Sequence, residues 1–263
     1  MTFKLDPIHR AAYFMIAFAA AALATHFTEQ VLLHLCATLG FALLLWVLFT
    51  KFSVKRKNLW DTVITGLILF LLLHYGATPA DLVFPLTATF IAMVIKFFVE
   101  WKNSPILNPV AAGLLGSTLV LAFVPGLGHP FVSWWGASFN GTLSLSLMGL
   151  WIVAGLYQWK KWETVISFLA VHAILLLIRG EGPAGLEFTF TDSTIYFFTT
   201  IMLVEPKTSP FLPKQQVAYG SFAALLYNFL AHSGTPYFEL FTLIGANLFR
   251  AAMIKMPKRP KPL

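Results

Sequence analysis

Two stretches of this 263-residue chain set polar side chains beside prolines, between long apolar runs. One is Asn103-Ser104-Pro105-Ile106-Leu107-Asn108-Pro109-Val110; the other is Glu205-Pro206-Lys207-Thr208-Ser209-Pro210. Proline removes an amide donor and turns the residue before it away from the helix, so Asn108 and Ser209 are expected to stay partly extended with free polar groups. Within a bilayer such backbone is tolerated only where it is buried in protein or lines a wet cavity. There it can grip a ring system or a phosphate, with a helix N-terminus lending the positive end of a dipole. The same residues also read as loop-to-helix caps with proline in the first turn.

The other residue types narrow the chemistry. His34, His74, His172 and His232 form no HxxxH pair, so a dedicated metal site is not expected. His172 lies within an apolar run and should face protein, as a hydrogen-bonded core residue or as a proton carrier. The single Cys36 reads as a small core residue, or as a thiolate offered to a cluster shared with a partner. Lys96, Glu100 and Arg250 stand near the ends of runs, where snorkelling accounts for them. With no Walker or Rossmann glycine loop and no Ser/His/Asp arrangement, neither nucleotide hydrolysis nor direct NADH binding is expected.

The elements that must position these residues are apolar helices. Hydrophobic residues make up 58% of the chain and charged ones 11%, less than half the charge of an ordinary soluble domain. Uniformly apolar runs fall at 9–27, 30–51, 60–76, 82–100, 106–124, 141–158, 163–179, 191–205, 214–231 and 236–254. Lacking period-two alternation, they read as helices and not as barrel strands. The expectation is an all-α integral membrane protein with about ten transmembrane helices. The first run continues to a second without a processing site, so no cleaved leader is expected.

Charge sets the orientation. With ten spans and both termini cytoplasmic, Arg179 alone of the 18 Lys and Arg residues falls outside, as the positive-inside rule requires. The net charge of +7 then reads as topology signal and attraction to anionic membrane lipid, with the basic tail KMPKRPKPL serving both. Spread over several cytoplasmic segments, these charges do not form a nucleic-acid stripe.

Span three opens with Asp61-Thr62 on the inner side and leads to a proline turn. Span eight, five spans later, opens with Asp192-Ser193-Thr194 on the outer side and leads to EPKTSP. An odd number of spans per half inverts the halves, here about 1–125 and 139–255, and places a shared site at their interface. Trp46, Trp60, Trp101, Trp134, Trp135, Trp159 and Trp162 lie mostly near span ends, where an interfacial belt puts them. Trp134-Trp135 in the outer loop is the pair to test for cofactor contact.

The run TGLILFLLLHYGATPADLVFPLTATFIAMVIKFFVEWKNSPILNPVAAGLL resembles a segment of the RnfD/NqrB family, the membrane proteins of Rnf electron-transport complexes and of sodium-pumping NADH:quinone reductases. The matching residues are Thr65, Gly66, Lys96, Asn108, Pro109 and Gly113. SLMGLWIVAGLYQWKKWETVISFLAVH is similar to that family's sixth and seventh spans. TIYFFTTIMLVEPKTSPFLPKQQVAYGSFAALLYNFL resembles its FMATDP-x-TSP segment, with Glu205 where Asp is usual, followed by Pro206, Thr208, Ser209 and Pro210. FELFTLIGANLFRAAM resembles the closing helix with its Asn, here Asn247. The match runs in order over residues 60–252.

The resemblance implies ten spans in two inverted halves, a fold like that of urea and ammonium channels, and membrane electron transfer that can be coupled to ion movement. It implies FMN esterified to a Thr of an SGAT signature in the loop after the fifth span. This chain departs there: the loop 125–140, PGLGHPFVSWWGASFN, lacks SGAT, and the GAT at Gly76-Ala77-Thr78 lies in another loop. Thr142 is the nearest Thr on the outer side, and it also reads as the N-cap of span six. The missing SGAT counts against a covalent flavin and leaves FMN or riboflavin bound without a link, or no flavin, as the expectations. Three functions follow in order: a flavin-dependent electron-transfer subunit in a cell inner membrane, served by other electron-transfer subunits or a soluble or peripheral flavin or iron–sulfur reductase; a transporter or channel on the same scaffold; and a membrane protein that docks partners.

Overall fold

The computed structural model describes residues 6–52, 58–76, 78–101, 104–124 and 132–255. Lys4, Lys55, Arg56, Lys57, Ala77, Lys102, Asn103, Lys258, Arg259, Lys261 and loop residues 125–131, all used in the reading above, lie outside them.

Every one of the ten apolar runs carries helix. The order is α1 (Pro7–Thr25), α2 (Glu29–Leu35) leading through a π turn into α3 (Phe41–Phe52), α4 (Leu59–Leu72), α5 (Val83–Phe98) and α6 (Pro109–Ala122). Then come α7 (Gly141–Trp151) with a π turn into α8 (Tyr157–Trp159), α9 (Trp162–Ile178), α10 (Pro183–Thr191), α11 (Ser193–Phe197) with its own π turn, α12 (Pro213–His232) and α13 (Phe238–Lys255). The only strands among the described residues are β1 (Glu100–Trp101) and β2 (Ser104–Pro105), a two-residue antiparallel pair.

Local chemistry explains the starts. Pro7, Pro109, Pro183 and Pro213 occupy the first turns of α1, α6, α10 and α12, where a missing amide costs nothing. Asp6, Thr28, Asn58, Asn108, Asn140 and Asp192 each accept a hydrogen bond from a backbone amide of the helix they precede, filling the orphan donors of the first turn.

Length and hydropathy together sort the helices, and α12 and α13, at 20 and 18 residues, are long enough but are not among the apolar spans. Pro7–Thr25, Glu29–Phe52, Ala80–Phe98 and Gly141–Trp159 run for 19, 24, 19 and 19 residues and are apolar enough to cross a membrane. Leu59–Leu72, Pro109–Ala122, Trp162–Ile178 and Ser193–Met202 are apolar but shorter. The expected spans 60–76 and 191–205 are thus cut back, because the chain leaves the helix at Leu73 and again just beyond Met202. Outward faces carry large apolar side chains such as Phe52, Leu119, Phe123 and Phe188, which suits contact with lipid.

At the centre lies α4, buried on nearly every side from Thr65 to Leu72. A helix that is apolar all round belongs in a core. It packs on α1, whose inward face is Ala11, Ala12, Ala19 and Ala22, and on α3. The other main pairings are α3 with α5, α5 with α6, α6 with α13, α9 with α12 and α12 with α13. A Cβ on Gly113 would lie 2.6 Å from the Ala88 carbonyl oxygen, so only glycine lets α6 approach α5 this closely. At Gly66 α4 lies tight against Leu39, where a Cβ would stand 3.0 Å from Cα and a side chain would need that neighbour to give by a few tenths of an ångström.

Candidate functional site

Asp61 opens the site. It lies in the first turn of α4, just after the Asn58 cap, and is 8% exposed. Lys96 comes from the last turn of α5; its Nζ donates to the Asp61 carbonyl oxygen at 2.6 Å and to Thr65 Oγ1 at 2.5 Å, and stands 3.2 Å from Asp61 Oδ2. Lys207, from the unwound segment after α11, donates to the same Oδ2 at 2.5 Å. Thr65 Oγ1 donates in turn to the Asp61 carbonyl at 3.0 Å.

The snorkelling expected for Lys96 is therefore wrong. Its side chain is 4% exposed, since three oxygens of α4 satisfy the ammonium inside the protein and headgroups are not needed. A buried charge persists only when paired and hydrogen-bonded in this way.

A second set of bonds ties the two proline segments together. Asn108 N–H donates to Asn247 Oδ1 at 2.6 Å, and Asn247 Nδ2 donates to the Thr208 carbonyl at 3.3 Å and to Tyr219 OH at 3.1 Å. Asn108 Nδ2 and Thr208 Oγ1 both donate to Glu205 Oε2, at 3.0 and 2.9 Å. Ser209 Oγ donates to the Glu205 carbonyl at 2.8 Å. Meanwhile Asn108 Oδ1 caps α6 by accepting from Ala111 N–H at 3.1 Å. The cap expected of Asn108 is present, and the same side chain also reaches across the fold, using its oxygen for the helix and its amide for Glu205.

The Glu205 segment is held from behind as well. Lys160 adopts a left-handed conformation, φ 51°, that ends α8, and it aims Lys161 inward. Lys161 Nζ donates to the Pro210 carbonyl at 2.5 Å and stands 4.1 Å from the centre of the Phe211 ring. Burial, with a smaller push from the Arg250 charge, pulls its ammonium down to about 8. Gln216 Nε2 bridges the carbonyls of Lys160 and Phe211 at 2.9 and 3.0 Å.

These groups surround a cavity of about 330 Å³. Thr65, Asn108, Pro109 and Glu205 line it, together with Asp61 and Lys207. Its remaining wall is largely apolar, with Ile64, Ile68, Val110, Ile201, Trp159 and Phe211. Of the other residues selected from sequence, Lys96, Thr208, Ser209 and Asn247 stand behind the lining and orient it. Gly66 and Gly113 serve helix packing.

Thr142 is not brought to the site. It lies exposed in α7, away from the lining, and the N-cap it was offered for is Asn140, whose Oδ1 faces the Leu143 amide at 3.4 Å. Trp134-Trp135 does not reach the cavity either: Trp135 Nε1 donates to the carbonyls of Phe70 and Leu73 at 3.1 and 2.8 Å, and Trp134 meets Phe197 and Phe198 edge-on. Cys36, expected in the core, is exposed where α2 turns into its π segment. His172 is buried with its Nδ1 2.8 Å from Asn228 Nδ2, while its Nε2 is buried without a hydrogen-bond partner. Among the described residues no group of three His, Cys, Asp or Glu could hold a metal ion.

Asp61, Lys207, Lys161, Trp159 and Phe211 were not chosen as site residues from sequence. Asp61 had a signal, an acid at the head of an otherwise apolar run, and Lys207 sat inside a segment already singled out. Trp159 and Phe211 had none, since an aromatic beside a polar turn looks like part of an interfacial belt. No known family model matches this chain, and no curated protein matches it either.

Proposed function

We propose that this chain is the membrane component of a flavin-dependent electron-transport complex of the Rnf and sodium-pumping reductase kind, holding an isoalloxazine ring in the Asp61–Phe211 cavity. The observation that carries this is convergence: Thr65, Asn108, Pro109 and Glu205, picked from sequence in three separate stretches, line one cavity. Its volume lies at the small end of ligand sites, which run from roughly 300 to 1,000 Å³. Apolar walls with convergent polar groups suit a flat ring with a hydrogen-bonding edge. Both Lys96 and Lys207 pair with Asp61, but the Lys207 side chain is 42% exposed and that of Lys96 4%, so Lys207 is the one of the two that can turn toward a phosphate. The fit therefore favours riboflavin, or FMN with its phosphate toward Lys207, and no ester link to Thr142. When bound, the flavin supplies the redox chemistry, and the chain's own residues bind and orient it.

The reading includes ten spans in two inverted halves, about 1–125 and 139–255, in a cell inner membrane with both termini cytoplasmic. Recurrent pairing supports it: α1 with α4 and α7 with α11, α3 with α5 and α9 with α12, α5 with α6 and α12 with α13. Electrons come from other electron-transfer subunits or from a soluble or peripheral flavin or iron–sulfur reductase. An absorbance spectrum of detergent-purified protein, before and after acid precipitation, tests the cofactor. A yellow protein whose colour leaves the pellet supports an unlinked flavin; a colourless protein that binds no added riboflavin or FMN rejects the reading.

One observation favours a second reading, a transporter or channel on the same scaffold. The Asp61–Lys207 pair joins the two proposed halves beside the cavity, where an alternating-access device would place a contact that opens and closes. Colourless protein that moves an ion or solute across liposomes would support it.

A further inference from the structure

Among the described residues three carboxyl groups line the cavity, and they are held differently. Asp6 is exposed and caps α1 through Oδ1. Asp61 is in ionic contact with two ammonium groups, which fixes it as a carboxylate. Glu205 has only neutral hydrogen-bond donors among the described residues. Both bonds, from Asn108 Nδ2 and Thr208 Oγ1, end on Oε2. Among the described residues no hydrogen bond reaches Oε1, nor is that atom among the buried polar atoms left without a partner, so it keeps accessible surface on a cavity-lining side chain.

A carboxyl group held by one oxygen in this way keeps its geometry whether it carries a proton or not. We propose that Glu205 is the proton-exchanging group of this cavity, with Oε2 fixed by Asn108 and Thr208 and Oε1 giving and taking the proton. In the flavin reading, on which only the identity of the ligand rests, Glu205 passes its Oε1 proton to a ring nitrogen as the flavin or iron–sulfur reductase delivers an electron pair. The O–H bond breaks, an N–H bond forms, and solvent at the cavity mouth reprotonates the carboxylate. The charged and titratable groups bearing on Glu205 are Asp61 on α4, Lys96 on α5, Lys207 in its own segment, Tyr219 on α12 and Arg250 on α13.

The test is infrared difference spectroscopy of the full chain in detergent, taken between acid and alkaline pH in H2O and in D2O. Wild type should show a carboxylic-acid C=O band that titrates and shifts in D2O. In E205Q the component due to this side chain should be lost from the wild-type-minus-variant difference, because the amide oxygen can still accept from Asn108 and Thr208 but position 205 no longer titrates; in E205D it should return at a displaced frequency. A carboxyl spectrum unchanged in E205Q overturns the proposal. Should E205Q fail to fold, as judged by its melting curve, Thr208→Val decides: removing one donor from Oε2 must move the band and its midpoint, and an unmoved band refutes the assignment. With riboflavin bound at saturation, E205Q should slow chemical reduction about a hundredfold, in the range typical of general acid catalysis. A protein that binds no flavin sinks the flavin reading alone, while the infrared result still decides Glu205.

Discussion

The two ends of α4 solve one physical problem in opposite ways. Any helix end leaves backbone groups without intrahelical partners, and a buried end cannot turn to water for them. At the C-terminal end the answer is closure by neutral groups. The carbonyls of Leu71 and Leu72 accept from the amides of Gly136, Ser133 and Trp134, those of Phe70 and Leu73 accept from Trp135 Nε1, and Leu73 pairs with Val132. At the N-terminal end Asn58 supplies a cap, and the Asp61 carboxylate draws in Lys96 and Lys207 beside an open cavity. Closure by backbone gives rigidity. Closure by charge gives a polar wall with capacity to respond to a ligand, at the expense of desolvating Asp61 and Lys96.

The comparison can be broken at its charged end first. Asp61→Ala strands the Lys96 ammonium in the interior, and removing one partner of a buried pair typically costs about 3–5 kcal/mol. The variant should melt far below wild type in detergent or fail to accumulate. Lys207→Ala removes the other partner, yet the Lys207 side chain is 42% exposed, so that loss should stay within the roughly 0–1 kcal/mol of a surface pair. Equal losses from the two variants would mean that Lys96 and Lys207 are not divided into a buried and an exposed partner.

Next in size is the link between the proline segments. Asn247→Leu removes the acceptor of Asn108 N–H and the donor to Thr208 and Tyr219. Leaving buried groups unpaired costs about 1–3 kcal/mol, and this variant belongs at the upper end because more than one group is orphaned. It should also weaken binding of added riboflavin, since Asn108 and Glu205 lose their common anchor. Trp135→Phe should cost about 1 kcal/mol, at the lower end of the same range, because one donor is lost from carbonyls at the sealed end. Its riboflavin affinity should match wild type. If Trp135→Phe weakened the ligand as much as Asn247→Leu, the two ends of α4 would not be functionally distinct.

How much of this was legible in the sequence follows from the range of the interactions. Helices were legible because each apolar run is self-contained, and the proline segments because Pro109, Pro206 and Pro210 act on their own neighbours. Their ends were less so: nothing in LLLHYG says that a loop some sixty residues later will take over the carbonyls at Leu73. Lys96 was misread for the same reason, since a lysine at a helix end snorkels unless an acid from another helix meets it. Thr65, Asn108 and Glu205 were picked out, but the sequence could not show that Asn108 divides its side chain between cap and cavity. Asp61 gains its role from Lys96 and from Lys207, the latter 146 residues away.

The smallest effect belongs to Lys161, which clasps the Glu205 segment by a third route. Its ammonium, held down to about 8 by burial and then by Arg250, returns to the ordinary lysine value near 10.5 when the chain unfolds. Below about pH 8 it is charged in both states. Between there and the unfolded value the folded chain binds fewer protons, so this residue makes stability rise with pH across that window and fall as pH drops through the folded value. The neutral amine keeps N–H donors for the carbonyl of Pro210, so nothing essential to the clasp is lost on deprotonation. Melting temperatures in detergent near pH 7 and near pH 9.5 should therefore differ more in wild type than in Lys161→Met, where the titrating group is gone. If the methionine variant kept the full pH dependence, the source would lie in another group, and the clasp would count as packing of an aliphatic stem against Phe211.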